Sequence, residues 1–268
     1  MTGSIFIETF KHTWKQMLYW GIGLASMGLM VVLMIPVFDI QQFKELLETF
    51  PPMMLAMFGI GSDIELFATN EGFIAIGFFG KFALIFAVYP VVMGMRITAN
   101  DEDSGTMDMV LSLPVQRARV VIERFLAYAV SVIGVVLMVY IGMTLGVAIS
   151  GVELNMSALS TVIFNLIPVL IFVLAVTLFI GTIVRRRQIA LGIVTAFVIA
   201  SFMLQTIGAM AEGTVAEPIG AISFFTYYNA GTILADGIVW IHIAGLVALS
   251  ILLLGFATFR YEQRDIGI

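Results

Sequence analysis

"FLAYAVSVIGVVLMVYIGMTLGVAI", Phe125–Ile149, runs for 25 residues without a single charge. About 20 apolar residues in an α-helix cross the roughly 30 Å hydrocarbon core of a bilayer. A soluble core rarely needs so long an uninterrupted run. Gly142 and Gly146 lie four apart within it, extended by Ser150, and mark a face where another helix can approach closely. Working outward from this stretch, five further runs of similar length appear. They lie at about Met17–Phe38, Phe73–Met95, Ala158–Val184, Ile189–Ala211 and Gly237–Phe259. The fold expected is an all-α membrane protein of six transmembrane helices, formed by residues 1–268 as one domain.

Composition agrees. The chain is 60% hydrophobic and only 12% charged, about half the charge of an ordinary soluble domain. It has no cysteine, which excludes disulfides, thiolate metal sites and a cysteine nucleophile.

Lys and Arg set the orientation. Eleven of the 13 fall at one end: Lys11, Lys15, Arg96, Arg117, Arg119, Arg124, Arg185, Arg186, Arg187, Arg260 and Arg264. Lys44 and Lys81 remain for the other side. The basic end is expected in the cytoplasm, with both termini there. Ahead of the first span, Phe6, Phe10, Trp14 and Met17 recur at helical spacing, with Glu8, Lys11, His12 and Lys15 opposite. Ser4–Gln16 is therefore expected to be an amphipathic helix on the cytoplasmic leaflet. A cleaved signal peptide fits poorly, because no small-residue cleavage site follows the run.

Two outer stretches stand out. In Asp39–Gly72, the residues Phe43, Leu46, Leu47 and Phe50 form an apolar stripe that ends at Pro51-Pro52. Between spans five and six, Ala211–Asp236 is apolar but broken by Pro218 and several glycines. It fits either a surface loop with aromatic anchors or a segment that re-enters the membrane packed against protein. Pro90 and Pro168 are expected to kink the second and fourth spans. Gly192, Ala196 and Ala200 mark a small-residue face on the fifth.

Several chemistries are missing. "GFFGKF", Gly77–Phe82, has the wrong spacing for a phosphate-binding loop and lies inside a span. The two histidines, His12 and His242, sit on opposite sides of the membrane, and no His/Asp/Glu cluster suggests a metal. No Asp or Glu falls inside any span, which argues against a proton-coupled pump. No covalent catalysis, no bound cofactor and no nucleic-acid partner are expected of this chain.

The polar stretch "RITANDEDSGTMDMVLSLPVQRARVVIER", Arg96–Arg124, separates spans two and three. Asp103 or Ser104 can cap a helix starting at Gly105-Thr106. Met107, Val110, Leu111 and Pro114 line one stripe, and Pro114 ends the pattern. Two helical turns are unstable alone. The pattern leaves open whether this helix rests on lipid or docks into a groove of a partner.

"EDSGTMDMVLSLPVQRARVVIERFLA" resembles the cytoplasmic loop signature of type-2 permeases of ABC exporters. The residues that carry the likeness are Glu102, Gly105, Thr106, Leu111, Pro114, Val115 and Arg117. "ISFFTYYNAG", Ile222–Gly231, is similar to that family's Ser-Pro-Phe-Tyr-Tyr stretch, with Phe224 where Pro is usual. Arg124 stands where Lys is common. "FRYEQRDIGI", Phe259–Ile268, resembles its Phe-x-x-Arg-Asp tail. The resemblance implies that Gly105–Pro114 is a short cytoplasmic coupling helix. That helix would insert into a separate ATPase subunit, which binds the ATP and Mg. It further implies two ATPase subunits per transporter and a second permease chain, identical or related. Dimerisation would use the first and fifth spans, and substrate the second and fifth. The location implied is the plasma (inner) membrane of a bacterium or archaeon.

Lys81, Asn165, Gln205 and His242 are the strongest polar side chains within the spans, and the topology puts all four toward the outer leaflet. They fit either a vestibule on the substrate path or ordinary interhelical hydrogen bonds with a snorkelling Lys. The function expected is the permease subunit of an ATP-driven exporter. The rivals are a gradient-driven or facilitative carrier and a non-transporting membrane scaffold.

Overall fold

The six apolar runs form six helices long and apolar enough to cross a membrane. The structure, a computed structural model, describes residues 4–51, 54–55, 60, 64–97, 116–184, 186–211, 214–215 and 217–263, except for the side chain of residue 41. Helix α1 is Ser4–Met34, continued by a 3-10 turn at Ile35–Val37. Helix α2, Ile40–Glu48, lies in the connection that follows α1. Then follow α3, Asn70–Gly94; α4, Arg117–Ser150; α5, Met156–Ile183; and α6, Arg187–Met210. A short α7, Ala230–Asp236, precedes α8, Trp240–Glu262. Among the described residues there is no strand.

The 31 residues of α1 make one helix, where the sequence suggested two. Ser4–Gln16 is helical as expected and runs into the first span without a break. At 1.5 Å per residue α1 is about 46 Å long and α4, with 34 residues, about 51 Å. Both exceed the hydrocarbon core, so their arginine- and lysine-bearing ends extend beyond it.

The glycine face on α4 works as its spacing suggests. Helices α1 and α4 run parallel, with Ile5 level with Glu123 and Ala25 with Gly142. A Cβ on Gly142 would overlap the Ala25 backbone, and one on Gly146 would fall 2.9 Å from Val32 Cβ. Helix α3 packs against them in the opposite sense, with the Trp20 and Tyr89 rings 6.0 Å apart.

Helix α5 forms the centre. Leu159, Val162, Ile163, Leu166, Val169, Val173 and Leu174 are fully buried along it. Helices α6 and α8 cover it from outside and leave Ile193, Ile199, Met203, Ile251 and Phe256 exposed, as lipid-facing positions require. Both prolines lie inside continuous helices, Pro90 in α3 and Pro168 in α5. Within α3, residues Phe73–Gly80 form a π-helix directly before Lys81, a local widening that recurs at functional sites. At the end away from the arginines Leu47, Leu55, Ile60, Phe67 and Ile76 make a second, smaller core, with Phe43 and Phe50 packed against it.

Candidate functional site

The residues Glu102, Gly105, Thr106, Met107, Val110, Leu111 and Pro114 lie outside the described residues. Arg117 is the first residue of α4. Two stems flank this segment, the end of α3 and the start of α4. Helix α3 ends in a turn through Ile97, and Arg124 Nη1 donates to the Ile97 carbonyl at 3.0 Å, bridging the stems. Arg96 Nη1 donates to Gln16 Oε1 at 2.7 Å, tying the first stem to α1.

Glu123 ties the second stem to the same helix. The first N–H groups of any α-helix lack an intrahelical acceptor. Here Ile5 N and Phe6 N donate to Glu123 Oε2 at 3.1 and 3.0 Å. The carboxylate also suits the positive end of the helix dipole. Its other oxygen accepts from Arg119 Nε at 2.7 Å. Helices α1, α3 and α4 are thus bonded together at the arginine-rich end, on both sides of residues 98–115.

At the opposite end the stretch between α6 and α8 folds into the bundle. It forms 3-10 turns at Glu217–Ile222 and Phe224–Tyr227 before α7. The Ser201 and Ser223 hydroxyls bond at 2.9 Å, and Phe224 N donates to Ser201 Oγ at 3.1 Å. Ser201 lies nine residues before Met210, the last residue of α6, about 13 Å along the helix. The Tyr228 hydroxyl donates to the Val162 carbonyl of α5 at 3.2 Å. Phe224, Phe225 and Tyr228 are buried. Residues 217–228 are thus packed against α5 and α6. Side chains bond several of their backbone groups, among them Phe224 N, Phe225 N and the Gly220 and Ala221 carbonyls. Gly208 and Gly220 allow the close approach: a Cβ on Gly208 would lie 2.5 Å from Gly220 Cα.

This inserted stretch closes a polar pocket of ≈ 80 Å³. Lys81 and Gln205 line it, with Thr206, Tyr228 and Asn229. Gln205 Nε2 donates to the Phe225 carbonyl at 3.4 Å. The other two expected residues are elsewhere. Asn165 is buried in α5 and does not line the pocket. His242 stands edge-on to Tyr227, with ring centroids 5.2 Å apart, beside a separate apolar groove of ≈ 400 Å³ that includes Phe172, Phe197 and Phe224. Sequence pattern grouped four residues by depth; the helix faces separate them. It also missed Ser201, Ser223, Tyr228 and Asn229. The only signal for the last three is the run of hydroxyl and amide side chains in "SFFTYYN", Ser223–Asn229; Ser201 had none. Among the described residues no group of three or more His, Cys, Asp or Glu side chains is arranged to hold a metal ion.

The sequence pattern of ABC-2 family transporter proteins matches residues 4–266, nearly the entire chain. The chain belongs to that family. It is an ABC-2 permease, with the membrane part carried by its six apolar helices. None of the curated proteins matches it.

Proposed function

We propose that this permease forms the substrate path of an ATP-driven exporter and takes its energy from a separate ATPase subunit. The observation that carries the reading is the bonded frame of Arg96, Arg124 and Glu123 around residues 98–115. Gly105–Pro114 would be the coupling helix, with Glu102, Thr106, Met107, Val110, Leu111 and Arg117 at the ATPase contact. Closure of the ATPase on ATP and Mg would push this helix. The frame would pass the displacement to α1, α3 and α4 together. Two ATPase subunits and a second permease chain complete the assembly. The face of α6 bearing Gly192, Ala196 and Ala200 is exposed, which suits a second chain. The arginine-rich end faces the cytoplasm of a bacterial or archaeal cell, and substrate moves outward.

Lys81 and Gln205 are the best candidates for contact with substrate, since they share one pocket in the outer half of the bundle. Asn165 and His242 lie away from this pocket. Lys81→Met and Gln205→Leu are expected to reduce substrate-stimulated ATP hydrolysis several-fold while leaving basal hydrolysis intact.

The test is purification of the tagged chain from its native membrane. Co-elution of a P-loop ATPase, and substrate accumulation in liposomes only with ATP, are the expected results. Transport driven by an ion gradient without any ATPase would replace this reading with a carrier. Co-elution with no transport would leave a scaffold.

A further inference from the structure

Two cavities lie one above the other along a single face of α1. Thr9, Thr13, Gln16, Trp20, Leu24 and Met27 follow each other at intervals of three and four, so they share that face. The upper, polar cavity has a volume of ≈ 370 Å³ and is lined by Thr9, Thr13, Arg96 and Arg124, with Glu8 and His12. Glu8 and His12 are both exposed, with Nδ1 3.4 Å from the carboxylate, so they form its rim. The lower cavity, also ≈ 370 Å³, is almost wholly apolar. Trp20, Gly23, Leu24 and Met27 form one wall, and Ile85 of α3 the other.

The spacing of the two walls agrees. Gln16 to Met27 is 11 residues, as is Arg96 to Ile85, and each spans about 16 Å. That is the hydrocarbon depth of one leaflet. The cation end therefore stands where lipid phosphates lie, and the apolar groove where an acyl chain lies. The bond from Arg96 to Gln16 uses one of the five N–H donors of the guanidinium. Arginine is the side chain suited to phosphate.

We infer that the α1–α3 groove binds one anionic phospholipid of the leaflet at the arginine-rich end. Its phosphate sits at Arg96 and Arg124, and one acyl chain lies between Trp20, Met27 and Ile85. The lipid would fill the seam between α1 and α3 directly beneath the frame described above. Basic recesses between spanning helices at the cytoplasmic side are a general setting for such headgroups.

The test is native mass spectrometry of the full chain released from nanodiscs of equimolar phosphatidylglycerol and phosphatidylcholine. Wild type is expected to retain phosphatidylglycerol about fivefold over phosphatidylcholine. Arg96→Gln should bring the ratio close to one. Gly23→Leu should lower retention of both lipids, because its Cβ meets no atom within 4 Å and the added side chain occupies the groove. Lys11→Gln, an exposed cation outside the cavity, should change nothing. Millimolar inorganic phosphate should not displace the lipid. Equal retention of the two lipids by wild type overturns the proposal without recourse to any variant. So does a preference that survives Arg96→Gln. Displacement by phosphate together with indifference to Gly23→Leu would make the site one for free phosphate.

Discussion

At the scale of single residues, two side chains hold more than their sequence positions suggest. Glu123 accepts three bonds, two of them from backbone N–H groups of α1. Glu123→Ala removes all three, and a loss of about 1–2 kcal/mol is expected in thermal unfolding of the purified permease. Glu123→Gln keeps an acceptor oxygen and should cost less. Ser201 accepts from the buried Phe224 N–H. Ser201→Ala leaves that donor without an acceptor, at about 1–3 kcal/mol, and should expose the 217–228 stretch to protease. Neither role was legible. A lone Glu at a span boundary looks like any other interfacial charge, and its partners on α1 lie more than a hundred residues earlier. The chemical types of Lys81 and Gln205 were legible, but their union required the inserted stretch that closes the pocket over them.

At the scale of elements, glycine spacing was a good guide where the partner is a neighbouring helix of the same chain. Gly142 meets the Ala25 backbone, which cannot rotate away. Gly142→Leu should destabilise the permease by about 1–3 kcal/mol by forcing α1 from α4. Gly192 on α6 faces open space. Gly192→Leu should leave unfolding of the isolated chain within about 0.5 kcal/mol of wild type, and should lower recovery of a second permease chain. Comparing the two variants separates packing within the chain from packing between chains. The π-helix at Phe73–Gly80 had no sequence signal, because its hydrogen-bond shift is a property of the surroundings and not of residue type. The continuity of α1 was hidden for a related reason. Ser4–Gln16 is amphipathic, as an interfacial helix is, but the side of it that looked lipid-bound is continuous with a helix docked along α4.

At the scale of the whole molecule, the six helices follow directly from the six apolar runs, since the bilayer thickness fixes their length. The parallel course of α1 and α4 follows from the alternation of spans. The path of the stretch between α6 and α8 does not, because a broken apolar segment satisfies a surface loop and an inserted one equally. Two serines and a tyrosine hold it against α5 and α6. The arginine-rich end is where the account places its central event, the transfer of motion from an ATPase to the spans. The most direct measurement is made on the complex carrying Leu111→Glu or Gly105→Glu. The account predicts normal membrane insertion, loss of ATPase co-elution and loss of transport. Retention of ATPase binding and of ATP-driven transport in both variants would contradict it.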